Sequence, residues 1–465
     1  MNASRPCETC HDEVRSKTSG GQGKANSGWG AGFKKEARRV TNKQYLTEAR
    51  QPPPLIRPFA ALRPAPERAA ELASPPYDVV SRAEAYDQAR GKPWSFLHVS
   101  RPEIDLPMHT DPYDPAVYAK GAENFSRMLT AGVLRRDSRA YYYVYRLTAG
   151  THSQTGLVAV ASLQAYQESR IRRHELTVPE KEADRARHIE ALNAQTGPVL
   201  LTYRYAAAVD ALVAQAIDAE PAFDFRAADG VQHSLWVIHD AEQIQALSSQ
   251  FAAIGRLYIA DGHHRSAAAA RVAAARRRGT SQATDEANYN YFLVVLFPDK
   301  GVRVLDYNRL VVDLNGHSEA EFLAEVAQQF RVEPAVAPVQ PQQRQQFGMY
   351  LPGQWYRLTL AAEQVPSDDP VARLDVSLLT ERLLVPILGI RNQRTDKRID
   401  FIGGIRGLAA LQQPVDEGRM AVAFSLYPTS IEDLLAVADS GLLMPPKSTW
   451  FEPKLADGLV SHMLD

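Results

Sequence analysis

Cysteine is almost missing from this chain: two residues in 465, both close to the beginning, as Cys7-Glu-Thr-Cys10-His11. That spacing would suit covalent c-type haem, which requires an exported chain and a packed axial-ligand pocket. Met1 to Arg50 contain no apolar core of a signal peptide, so the haem reading gives way to a disordered basic tail over residues 1–54, poor in spaced apolar positions. No apolar run approaches the roughly 20 residues that span a bilayer, which excludes a transmembrane helix and points to a cytoplasmic protein. A surplus of one charge is also missing. With 53 basic and 54 acidic side chains there is no general attraction for nucleic acid or anionic lipid, and no DNA-reading helix-turn-helix stands out. No internal repeat is visible, and the glycines of a Walker phosphate loop are absent.

What is present is ordinary globular material, with an apolar fraction of 45% and a charged fraction of 23%. The expected fold class is α+β, a mixed α/β chain without the regular alternation of a barrel or doubly wound sheet. Helical spacing predicts helices over 115–131, 179–195, 241–254, 265–278 and 376–388. A hairpin is expected from 140–148 and 156–166, and further strands near 199–203, 234–239, 256–260, 289–297 and 302–305. Pro298-Asp-Lys-Gly301 reads as a hairpin turn between the last two. Strands are expected again at 355–360, 399–402 and 420–427, and Thr429-Ser-Ile-Glu432 as a capping box. The Pro- and Gln-rich stretch 334–346 divides an expected N-terminal lobe, 55–333, from a C-terminal lobe, 347–465.

Three clusters carry chemistry. In the first, the apolar Arg256–Ala260 runs into Asp261-Gly262-His263-His264-Arg265 and then an alanine-rich helix. Free backbone N–H groups and the helix dipole converge there, a natural anion seat, and Gly262 allows close approach. Asp261 either caps the helix or faces a ligand; a capped helix with solvated histidines is the plain alternative. Adjacent His263 and His264 point about 100° apart and do not suit one metal ion. In the second, Lys447, Ser448 and Thr449 follow Pro445-Pro446, one cation and two hydroxyls suited to phosphate, or an ordinary surface turn. In the third, Glu175 sits between a strand and a helix among His174 and three arginines, a position fit for a catalytic base, with Asp184 as a further carboxylate for a divalent ion. Dense charge of this kind is otherwise a solvated helix face.

Taken together, Ser74-Pro-Pro-Tyr-Asp-Val-Val80, Arg173-His-Glu175, Leu257 to Arg265, Leu374-Asp-Val-Ser-Leu378 and Met444 to Lys454 resemble the signatures of the prokaryotic family known as domain of unknown function 1015, over roughly residues 55–460. Within it, Asp-Gly-His-His-Arg is similar to the phosphate-binding box of the ParB and sulfiredoxin-like fold, which includes a free-serine kinase. That resemblance implies a phosphotransferase acting on a small hydroxylated metabolite, serine among them, with ATP or ADP and Mg²⁺ as cofactors. It implies Glu175, Asp261 and His264 as catalytic residues, and Gly262, His263, Arg265, Lys447, Ser448 and Thr449 as ligand-binding ones. A ParB-like nucleotide-binding regulator without turnover is the alternative. The expected partner is a phosphate-bearing small molecule, neither membrane nor nucleic acid.

Overall fold

A computed structural model describes residues 53–279 and 284–465; the expected basic tail up to residue 52 and its Cys7-Cys10 motif lie outside the described residues. The described residues form one unit built on two large sheets. The first has nine strands and runs Ile171–Arg172, Leu257–Asp261, Val199–Tyr203, Tyr291–Pro298, His152–Ser162, Tyr142–Ala149, Gln232–Ile238 and Phe223–Arg226, with Ile56–Arg57 added alongside His152–Ser162. Two of its pairings are parallel, Leu257–Asp261 with Ile171–Arg172 and Tyr291–Pro298 with Val199–Tyr203; the rest are antiparallel. The second has six strands, all antiparallel, in the order Arg331–Ala335, Gln354–Thr359, Gln346–Leu351, Val422–Leu426, Tyr307–Val311 and Ile399–Gly403. With helices packed beside these mixed sheets, the fold is α+β.

Alternation of side chains explains why the central strands are apolar throughout. Successive residues of a strand face opposite sides. Leu293, Val295 and Phe297 join Tyr143, Tyr145 and Val158 in a core shared with Phe347, Leu358 and Leu426 of the second sheet. Their neighbours Phe292, Val294 and Leu296 pack on the other face with Val213, Leu247 and Phe251, from helices Ala207–Ile217 and Ala241–Ile254. Both faces are covered, so the run Tyr291–Phe297 is buried throughout.

The expected hairpin forms between Tyr142–Ala149 and His152–Ser162, where Thr148 faces Ser153. Its second strand stops at Ser162 rather than Tyr166, because the Ser162 hydroxyl caps a short helix, Leu163–Gln167. The turn expected at Pro298–Gly301 does not make a hairpin: Val304–Leu305 pairs instead with Trp450–Phe451, almost 150 residues away in sequence. The expected capping box gives way to a simple N-cap one residue later. Ser430 caps Ile431–Asp439 by accepting from the Asp433 N–H, while the Thr429 hydroxyl donates to the Ser448 carbonyl at 2.8 Å. Residues 336–345 connect two strands of the six-stranded sheet. The helix expected over 376–388 is shorter, Asp375–Leu379, and continues as a π-helical turn over Thr380–Leu384. Among the described residues no helix is long and apolar enough to cross a membrane.

Candidate functional site

Strand Leu257–Asp261 leads into helix His263–Gly279 through Gly262. Its pairing with Val199–Tyr203 carries a bulge between Ile259 and Asp261, which turns the end of the strand just before the helix. Gly262 has φ +100, a backbone conformation that strains any other residue, and a Cβ built there would lie 3.1 Å from Nε of Arg265, which would have to give way by a few tenths of an ångström. This glycine lets the Arg265 side chain fold back across the helix start. There Arg265 donates to the Pro198 carbonyl and lies 3.6 Å from the Asp261 carboxylate. The Ser266 hydroxyl is buried and donates to the His263 carbonyl at 3.0 Å.

The Glu175 loop is tied to this turn by its own backbone. The His174 N–H donates to Nε2 of His263 at 3.4 Å, and the Val178 N–H donates to Nε2 of His264 at 3.0 Å. From the other side, the Met444 N–H donates to the His174 carbonyl at 2.8 Å. Lys454 donates to Asp261 at 3.3 Å. Three segments far apart in sequence are thereby joined around one cleft of about 410 Å³.

Glu175, Asp261, His263, His264, Lys447 and Thr449 all line this cleft. Other proposed ligands are placed differently. Ser448 is buried and braces its own loop by donating to the Pro445 carbonyl at 2.7 Å. Gly262 acts through backbone shape. Arg265 faces a small adjoining cavity of about 30 Å³, shared with Tyr77, Arg185 and Asp457, rather than the main cleft. Asp184 lines the cleft, but its two oxygens accept from the Tyr118 hydroxyl at 2.7 Å and from Arg185 at 2.8 Å, so it is an ion-paired wall residue rather than a ready metal ligand.

Several wall residues were given no role by the sequence, although Tyr77, Asp78 and Lys454 lie inside its quoted motifs: Tyr77, Asp78, Arg101, Lys181, Tyr307 and Lys454. Arg101 donates to the carbonyls of Tyr77 and Val80 and to Glu103, which rivets the Pro75-Pro76 segment to the cleft. The Tyr77 ring lies under the Arg185 guanidinium, 3.9 Å away. Arg309, fully buried, donates to the carbonyls of Tyr307 and Pro446 and so holds the Lys447 loop from inside the second sheet. Lys447 itself has φ +58, a left-handed conformation that a non-glycine residue adopts only when its surroundings impose it. The nearest sequence signal was the doubled proline on either side, at 75–76 and 445–446, which fixes both loops.

Burial dominates the protonation states. It lowers His264 to about 4, helped by Lys181, and lowers His174 to about 4, so both imidazoles are neutral near neutral pH. Because Nε2 of His264 accepts a hydrogen bond, its proton sits on Nδ1, a neutral donor. Burial raises Glu175 above the usual carboxylate range, although Lys447 pulls the other way. Asp261 is held well below that range: burial opposes its charge, but Lys454 and Arg265 overcome it. Burial works against the charge of Lys447, yet Tyr307, Glu175 and Asp78 outweigh it and the lysine stays protonated. The cleft therefore combines fixed cations, neutral imidazole and one carboxylate with a raised proton affinity.

Among solved structures, the chain resembles a free serine kinase in complex with AMP, at 13% identity over 63% of this chain and 86% of that one, with a TM-score of 0.31. It also resembles a conserved hypothetical protein from Pyrococcus furiosus, at 13% identity over 64% and 93% with a TM-score of 0.30. A third likeness is to a C-terminally truncated SbnI from Staphylococcus aureus, at 11% identity over 64% and 85% with a TM-score of 0.33. Likeness this loose gives no residue correspondence. No curated protein matches the chain. The sequence model of one family covers residues 56–377, which takes in the Tyr77, Glu175 and Asp261–Arg265 segments and stops before the Lys447 loop, and the chain belongs to that family, described as protein of unknown function (DUF1015).

Proposed function

We propose that this cleft binds a phosphate-bearing small molecule, a nucleotide such as ATP or ADP, and transfers phosphoryl to the hydroxyl of a small metabolite, serine being one candidate. The observation that carries the reading is the convergence of Lys447, Lys454, Lys181 and His264 with a single proton-attracting carboxylate, Glu175, in one cleft. Phosphoryl transfer asks for little else than charge neutralisation and positioning. Lys447 and Lys181 meet phosphate oxygens, and the Nδ1–H of neutral His264 donates to one. Asp261, committed to Lys454 and Arg265, fixes both cations rather than moving a proton. Glu175, whose raised proton affinity suits a general base, accepts the acceptor hydroxyl's proton as the oxygen attacks phosphorus and the bond from that phosphorus to the bridging oxygen breaks, the shortened nucleotide leaving. Mg²⁺ accompanying a nucleotide would be held mainly by phosphate oxygens, with Asp78 the carboxylate on the wall that suits it, and would add further charge neutralisation there.

Thermal-shift titration with ATP and ADP, followed by phosphate-transfer assays on hydroxylated acceptors with Mg²⁺, tests this. Glu175→Gln should keep nucleotide binding and lose about 10²- to 10⁴-fold in turnover, the range usual for a positioned base. Binding without transfer to any acceptor would favour a nucleotide-responsive regulator instead.

A further inference from the structure

Behind the phosphate-facing cations, the cleft wall holds a second donor set. His174, Glu175 and His263 each present one ligand atom, and the three atoms lie within 4.8 Å of one another. Two segments supply them, the Glu175 loop and the first turn of helix His263–Gly279. The adjacent pair His263 and His264 diverges as helix geometry requires; the partner of His263 is His174, whose ring meets it edge-on at 4.5 Å between centroids. His174 is only 2% exposed, and its Nδ1 is buried with no hydrogen-bond partner. An unpaired buried polar atom costs about 1–3 kcal/mol, so its persistence calls for a use.

We propose that His174, Glu175 and His263 form a site for a transition-metal dication of the zinc class, with an open coordination position facing the cleft. Two imidazoles and one carboxylate are a donor set for zinc or its neighbours, whereas Mg²⁺ prefers oxygen throughout. Three protein ligands leave a fourth position for a bound molecule. Glu175 and His263 line the cleft, so that position opens toward the ligand. A tetrahedral ion with bonds near 2.1 Å sets its ligand atoms about 3.4 Å apart, so the donor atoms must close in by up to about 1.4 Å. The 3.4 Å contact from the His174 N–H to Nε2 of His263 is long, and the cation displaces it. Lys447 interacts with the same carboxylate, which has two oxygens to share. With the ion bound, Glu175 is a ligand and no longer a free base, so this site and the general-base role given to Glu175 above are alternative uses of one carboxylate, and the ion can be held whether or not the cleft turns a substrate over.

The test uses the full chain carrying Cys7→Ser and Cys10→Ser, so that thiols do not compete, stripped with EDTA and titrated with Co²⁺ followed by visible absorption. One Co²⁺ per chain should bind and be displaced by Zn²⁺. His174→Ala should weaken binding by about 100-fold and Glu175→Gln by about 10-fold or more, in variants whose circular dichroism is unchanged. Should His174→Ala fail to fold, Glu175→Gln, on a half-buried loop, carries the test alone. Absence of a 1:1 Co²⁺ complex, or wild-type affinity in the folded variants, overturns the site. A chain that transfers phosphate without binding Co²⁺ or Zn²⁺ defeats this inference and leaves the phosphotransfer reading standing; one that binds the metal but no nucleotide does the reverse.

Discussion

The two walls of the cleft are built in different ways. The wall of Asp261 to Arg265 is made locally: a strand, a bulge, one glycine at φ +100 and a helix start place its groups within a few residues of sequence. The wall of Lys447 to Lys454 has no such internal logic. Its position depends on distant partners: Arg309 on the Pro446 carbonyl, Thr429 on the Ser448 carbonyl, His174 on the Met444 N–H and Val304–Leu305 alongside Trp450–Phe451. A local wall can be damaged by one backbone change, whereas a borrowed wall fails when a remote clamp is released.

The largest effect should come from the local wall. Gly262→Ala forces a side chain into left-handed backbone and against the Arg265 guanidinium, so it should cost about 2 kcal/mol or more in urea unfolding. An unchanged midpoint would mean that the turn is less constrained than its geometry indicates. On the borrowed wall, Arg309→Met removes a buried cation that burial already lowers to about 10, so global stability should change little. Nucleotide affinity should nevertheless fall by about 3- to 10-fold, the worth of one lost hydrogen bond, as the Lys447 loop loosens. Equal losses of stability and affinity would erase the distinction between the walls.

A smaller effect should separate the second sheet by its pH response. Burial raises Asp375 to about 7, while the Gln345 N–H and Arg344 oppose the rise. Between an unfolded value near 3.9 and about 7 the folded state holds a proton that the unfolded state has released. The contribution is therefore favourable below that window and is lost as pH rises through it. Relative to wild type, Asp375→Asn should gain a few degrees in melting temperature between pH 5.5 and pH 8.5. A variant with the wild-type slope would assign the pH response elsewhere.

The same contrast explains what the sequence made legible. Helix start, glycine and strand at 257–279 are local features, and periodicity was enough to find them. The hairpin of 142–162 was equally visible because its partners are neighbours. Pro298–Gly301 misled because turn chemistry is local, while the choice of Trp450–Phe451 as partner for Val304–Leu305 is not. Thr429 and Ser430 both satisfy a capping pattern, with Glu432 and Asp433 three residues on, and only the acceptor at Ser448 decides which hydroxyl is free for the helix. Arg309 was beyond reach for a similar reason: an arginine inside an apolar strand gives no sign of the two carbonyls that receive it. His174 read as a neighbour of Glu175, and its unpaired Nδ1 emerges only once the fold buries the ring against His263.

One ligand should be gripped by both walls at once. Calorimetric titration with ADP of the wild-type chain, His264→Ala and Lys447→Ala tests that most directly. Each variant should weaken binding by about tenfold or more, as expected for losing a hydrogen bond to a charged phosphate. A Lys447→Ala chain that binds ADP as tightly as wild type, while His264→Ala does not, would contradict it.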